Sequence, residues 1–223
     1  MTTASTSTSG VAKKRMAGEL RRNQILSIAA QLFSRKGFNG TTTKEIAEQA
    51  GVSEAIIFRH FQTKQDLYSA ILDRKVAECL EQLWSKSRDA MDRRDDKAVF
   101  LALASEFLEM HREDPTLTRL LFYSALEGHE MAKRFFDTTA RTARERIANY
   151  IKERCEDGVF RKVDPTAAAR AFLSLVMYRA IVRELFQDNC WQRSSSREAA
   201  SEITDLFLHG IVSPPKASTR QRR

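Results

Sequence analysis

From about residue 18 the chain places apolar residues three and four apart, in stretches separated by short polar breaks. Nowhere does it keep the two-residue alternation of a half-buried strand. Ile25, Ile28, Ala29, Leu32 and Phe33 form one apolar stripe at helical spacing, which predicts a helix over about 18–36 stopped by Gly37. Thr42 with Glu45 reads as a capping box for a short second helix, and Gly51 ends that helix as a C′ glycine. Ser53 caps a third short helix over 54–60, and Thr63 with Asp66 opens a long fourth one from 64 to about 91. A fifth helix, over about 96–113, stops before Asp114-Pro115, where Pro115 starts the sixth. Gly128 divides the sixth from a long seventh helix that ends near Gly158. Asp164-Pro165 opens an eighth reaching about 188, and Ser195 with Glu198 caps a ninth that ends near Gly210. The prediction is an all-α chain of about nine helices.

The pattern divides the chain into a disordered basic arm over 1–15, a three-helix unit over 16–63, a larger helical body over 64–212 and a disordered basic tail over 213–223. The arm is rich in Ser and Thr and ends in Lys13-Lys14-Arg15, and both ends carry little apolar surface to offset the entropy of ordering. Composition agrees with an all-α chain: 42% of the 223 residues are hydrophobic, with only eight Gly and four Pro to interrupt helices. The net charge of +8 is concentrated at the ends, with ten Lys/Arg against five Asp/Glu in residues 1–70 and four Lys/Arg without an acid in 214–223. A local basic excess is the electrostatic footprint of a polyanionic partner. No secretory leader or bilayer-length apolar run is visible, which places the chain in the cytoplasm, on the nucleoid when bound to DNA, with no membrane partner. Cys79, Cys155 and Cys190 are far apart, lack metal-ligand spacing and read as buried small hydrophobes.

The informative stretch runs from Thr43 to Phe61. Two short helices joined by a tight Gly turn are the layout of a helix-turn-helix, whose second helix enters the DNA major groove. Ala47 must be small where the second helix crosses close to it, Gly51 permits positive φ, and Ile46, Val52 and Ile57 supply the contacts that set the crossing angle. A helical hairpin inside any α-protein has the same local pattern. What separates the two readings is a longer resemblance. Ile28-Ala29-Ala30 with Leu32-Phe33, Gly37-Phe38, Thr41-Thr42, Ile46-Ala47, Ala50-Gly51-Val52-Ser53, His60-Phe61, Lys64 and Leu67 stand in order and spacing, so that Ile25 to Leu72 resembles the N-terminal domain of the tetracycline-repressor (TetR) family.

That resemblance implies DNA-contacting roles for Thr43, Lys44, Ser53, Glu54, Ala55, Phe58, Arg59, His60 and Lys64. Thr43, Lys44, His60 and Lys64 match phosphate-contacting positions, the last with help from a helix N-terminus. Ser53, Glu54, Ala55 and Arg59 are candidate base readers. Arg59 is either a reader of guanine through both its O6 and N7 or a further phosphate contact. Phe58 stands where the family usually has Tyr, so a hydroxyl-to-phosphate bond is missing. Ile56 either touches a thymine methyl or reinforces the hydrophobic surface. Lys13-Lys14-Arg15 with Arg21 and Arg22 either extend the phosphate contacts or are a solvated charge run.

The resemblance also implies a small-molecule pocket in the helical body and a homodimer paired through its last two helices. Trp84, Phe107, Phe122, Tyr123, Leu126, Phe135, Met177 and Tyr178 are candidate ligand-lining residues, or else plain core. As a lining they imply an apolar or aromatic effector. Ala168, Phe172, Leu175, Ile203 and Phe207 are candidates for the dimer interface, or else for an intramolecular bundle. The expected function is a repressor released from a palindromic operator on double-stranded DNA by that effector, with an activator as a variant. No nucleophile–base spacing, Gly-rich phosphate loop or metal-ligand set supports an enzyme, and His111 and His129 are isolated. No cofactor or metal is expected. A non-specific nucleoid-type DNA-binding protein is the competing reading.

Overall fold

In the computed structural model, residues 7–186 and 194–212 are described, with side chains from Gly18 onward except that of Leu185. Among them nine helices follow one another: α1 Ser7–Lys36, α2 Thr43–Ala50, α3 Glu54–His60, α4 Lys64–Asp92, α5 Asp96–Glu113, α6 Thr116–Leu126, α7, α8 Pro165–Phe186 and α9 Ser196–Ile211. α7 comprises Glu130–Phe135, a π-helical stretch Phe136–Ala140 and Arg141–Glu156. The only extended pairing among the described residues is an isolated antiparallel bridge between Phe160 and Val212.

Three of the predicted caps form, at Thr42, Thr63 and Ser195, while Ser53 stands at the start of α3 without a side-chain cap bond. Thr42 accepts from Glu45 N at 3.1 Å, while Glu45 turns its carboxylate to Lys36 Nζ at 2.5 Å instead of closing the box. Thr63 and Asp66 exchange both bonds at 3.0 Å, and Ser195 and Glu198 make the full box. Two expectations are corrected. α1 begins at Ser7, so 7–15 is not the disordered arm expected: once the amphipathic stretch has nucleated, adding good helix formers such as Ala12, Lys13, Lys14, Arg15 and Met16 carries no further nucleation cost. The seventh helix is not uniformly α. Thr138 donates to Arg134 O at 2.7 Å and Thr142 to Thr138 O at 3.0 Å, and such hydroxyl bonds to carbonyls one turn back accompany the wider stretch between them. The predicted tail and Cys190 lie outside the described residues.

The helices collect into two units that do not follow the linear division. One runs through the N-terminal helices to Ala77 and also takes in Thr116–Lys133; the other joins Glu78–Pro115 to the chain from Arg134 onward. In the first, Ile25, Phe33, Ile46, Ile57, Leu67, Tyr68 and Ile71 form a buried core that Leu120 and Met131 complete. Tyr68 Oη donates to Leu120 O at 2.6 Å, Tyr123 Oη to Arg35 O at 3.2 Å, and Glu127 accepts from Phe38 N and Asn39 N at 3.2 and 3.3 Å. α6 and the turn after it therefore belong to the N-terminal unit. In the second unit Phe100 sits at the centre of a ring cluster, with centroids of Phe172 at 5.0 Å and Phe207 at 4.9 Å, and α5 packs along α9 and α8. Asp96 anchors this unit through Tyr150 Oη at 2.7 Å and Arg154 Nε at 2.8 Å.

Candidate nucleic-acid interface

α2 and α3 are set against each other by the turn at 51–53. Gly51 takes φ 63 and ψ 37, the left-handed region, and its N–H reaches back to α2 carbonyls while Val52 N donates to Ala47 O at 3.0 Å. Ile46, Ala47, Ala50 and Ile57 are buried between α2, α3 and α1, and Val52 and Ile56 pack against the same core. Ile56 is partly buried, its packing against this core matching the reading in which it reinforces the hydrophobic surface. Gln24 Nε2 donates to Ala50 O at 3.2 Å and ties α1 to the end of α2.

With Ile57 inward, the opposite face of α3 is outward. Ser53, Glu54, Ala55, Phe58 and Arg59 are all exposed, Phe58 at 45%, and Lys44 is exposed at the start of α2. Ser53 makes no side-chain cap bond. Thr43 Oγ1 donates to Glu54 Oε1 at 2.6 Å, joining the two helix starts. His60 is half-buried, its ring tilted against Phe61 at 6.4 Å. Lys64 departs from expectation: its ammonium lies 4.3 Å from the Phe38 ring centroid, with burial lowering its pKa and Glu127 pulling it back up. Its charge is engaged within the domain. Arg22 likewise lies over Phe61 at 5.0 Å, and Arg21 donates to Gln24 at 2.8 Å.

The expected ligand-lining residues divide between the two units. Phe122, Tyr123 and Leu126 belong to the N-terminal unit, where Leu126 is 82% exposed. Trp84, Phe107, Phe135, Met177 and Tyr178 belong to the larger one, where Tyr178 is 61% exposed. Trp84 carries the Arg146 guanidinium at 4.3 Å, and Phe107 stacks on His111 at 4.0 Å. Two cavities in the larger unit, of about 330 and 440 Å3, are lined by none of the eight. The first, between α5, α8 and α9, is lined by His111, Arg179 and Arg183, which no aromatic or apolar pattern in the sequence marks.

The dimer-interface assignment is corrected in part. Ala168, Phe172 and Phe207 are 9%, 1% and 7% exposed within the single chain, so they fill its own core and have no surface left for a partner. Ile203 packs against that core. Leu175, at 44%, is the one of the five that is exposed, and Tyr178 and Leu206, the latter at 72%, are exposed on the same two helices. The sequence gives α8 and α9 apolar positions suited to close packing; it does not show which of them face inward.

A short helix held by a left-handed glycine turn, with an exposed polar face on an otherwise buried hairpin, defines a helix-turn-helix reader of duplex DNA. The comparisons with known proteins narrow this class. The family model for bacterial regulatory proteins of the tetR family matches residues 25–71, and that for the AefR-like transcriptional repressor C-terminal domain matches residues 98–210. The HTH-type transcriptional regulator YvkB of Bacillus subtilis is 31% identical over 84% of this chain and 95% of its own. A TetR-family regulator from Mesorhizobium loti shares the fold at TM-score 0.70 and 18% identity, over 88% of this chain and 98% of its own. So does a transcriptional regulator from Saccharomonospora viridis solved with choline, at TM-score 0.68 and 21% identity, over 86% and 98%. The chain belongs to the TetR family, and with it is a DNA-binding transcriptional regulator and not an enzyme. No helix among the described residues is long and apolar enough to cross a membrane.

Proposed function

We propose that the protein is a homodimeric repressor that binds a palindromic operator through α3 and is released by a small-molecule effector held in the larger helical unit. The observation that carries the reading is the outward face of α3, where Ser53, Glu54, Ala55, Phe58 and Arg59 stand exposed on a helix pinned by Ile57 and Gly51. Arg59 is the base reader, with Lys44, Thr43 and His60 holding the phosphates on either side. Lys64 assists through its helix N-terminus, its ammonium being occupied at Phe38. Repression is supported by the repressor description of the matching C-terminal model, and an effector by the choline complex of the S. viridis protein.

Pairing is assigned to the exposed side of α8 and α9, with Leu175, Tyr178 and Leu206 replacing the buried residues named from sequence. A symmetric dimer brings two α3 helices to successive major grooves roughly 34–36 Å apart, and an effector that favours another spacing weakens binding. Such coupling is reciprocal and typically about 1–3 kcal/mol. The deciding experiment is selection of bound duplexes from a random library by the full-length protein at near-physiological salt. A palindrome with half-sites about one helical turn apart supports the reading. Binding without an enriched motif, and with a steep salt slope on every sequence, transfers it to a nucleoid-type protein.

A further inference from the structure

Thr116–Lys133 belongs to the N-terminal unit, although the chain on either side of it belongs to the other. Glu127 stands in the turn that closes α6, its N–H donating to Tyr123 O at 2.9 Å. An acid at a helix C-terminus faces the negative end of the helix dipole, so α6 itself gains nothing from a carboxylate there. The partners of that carboxylate lie in the turn between α1 and α2.

Glu127 Oε2 accepts from Phe38 N at 3.2 Å and Asn39 N at 3.3 Å, and His129 Nε2 meets the same oxygen at 3.1 Å. Oε1 lies against Gly37: a Cβ on that residue would stand 2.5 Å from it and 2.8 Å from the Tyr123 ring, and Gly37 holds φ 73. Gly37 is therefore glycine for the close approach of the α6 turn as well as for its own backbone. From here the path to the reading helices is short. Thr41 Oγ1 donates to Gly37 O at 2.9 Å, Thr42 caps α2, and Thr43 Oγ1 reaches Glu54 Oε1 at the start of α3. The Phe38 ring meets the Lys64 ammonium at the start of α4. The turn that Glu127 holds thus bears on the starts of α2, α3 and α4, where Thr43, Lys44 and Lys64 stand.

We propose that Glu127 is a positioning residue for DNA reading: by holding two backbone N–H groups of the α1–α2 turn, it sets how α2 and α3 are presented to the duplex. Bonds from N–H groups to a carboxylate are stronger than bonds to a neutral acceptor, which suits a contact that must fix a turn. Glu127 acts through that turn and makes no DNA contact of its own. The proposal rests on the reading of α3 as the DNA-binding face and adds a residue outside the helix-turn-helix that controls it.

Amide hydrogen exchange and operator titration of the full-length protein test it, with Glu127→Ala and Glu127→Gln as variants. Without DNA, the Phe38 and Asn39 amides should exchange about tenfold or more faster in Glu127→Ala. On the selected duplex, at a temperature where melting shows the variant fully folded, Glu127→Ala should bind about tenfold or more weaker. Glu127→Gln keeps an acceptor oxygen and should recover part of both effects. Affinity for random duplex and the salt slope should match the parent, because no cation has been removed. A purely structural glutamate would lower the melting temperature and leave the folded variant's operator affinity unchanged, and that result overturns the proposal. So does unchanged exchange at Phe38 and Asn39, or an equal loss of affinity on random duplex. Failure of the parent itself to select any duplex sinks the α3 reading instead, and is told apart because the exchange is read without DNA.

Discussion

Arg59 and His111 are the two residues whose chemistry is most exposed to test. Arg59 stands on the outward face of α3 with its neighbours Glu54 and Ala55 two turns or less away. Replacing it with Ala should cost about 1–3 kcal/mol of operator affinity, measured by titration against the selected duplex. A base-reading role relaxes preference at one position of each half-site, whereas a phosphate role weakens all sequences alike and reduces the salt slope. His111 carries a different signature. Burial lowers its pKa from 6.5, opposed by the Phe107 carbonyl, Glu184 and Asp114. A histidine with a lowered pKa stabilises the fold above its unfolded value, and that contribution fades as pH falls below about 6.5. Thermal melting between pH 7.5 and 5 should show stability falling toward acid, less steeply in His111→Gln. Equal slopes would show that His111 does not feel its burial.

At the scale of elements, the caps and the αL turn were legible because they depend on residues within a few positions of each other. Thr42, Gly51, Thr63 and Ser195 mark helix ends through local hydrogen bonds and backbone freedom. The π stretch was not legible, since Thr138 and Thr142 bond carbonyls only after the helix exists. Nor was the attachment of α6 to the N-terminal unit, which depends on pairs such as Tyr68 with Leu120 and Phe38 with Glu127, about fifty and ninety positions apart. Tyr68→Phe removes one buried hydrogen bond without a cavity and should lower stability by about 1 kcal/mol. Denaturant unfolding should show the midpoint reduced with the slope unchanged; an unaltered midpoint would mean the bond contributes nothing net.

For the whole molecule, the proposed pairing through the exposed side of α8 and α9 is open to a direct test. Leu175 and Leu206 are exposed, so changing both to Glu should leave the single chain folded while abolishing pairing. Sedimentation should report a monomer, and operator affinity should fall about a hundredfold or more as the two half-sites lose their linkage. A dimer that persists in this variant would place the interface elsewhere. Phe172→Ala, by contrast, should act on folding, because that ring is packed against Phe100 at 5.0 Å.

What the sequence by itself determined is what repeats locally: the helical period, the caps, the glycine turn and the polar residues that follow it on α3. From these come the all-α class, the DNA-reading hairpin and the family resemblance. Only tertiary structure decided which sides of α8 and α9 are inward, that Lys64 lies over Phe38, that Phe172 and Phe207 are core, and that Arg179 and Arg183 line a cavity. An apolar or charged residue on a helix of the body is compatible with several faces until its neighbours from distant segments are in place, because burial is a property of the assembled fold and not of the residue.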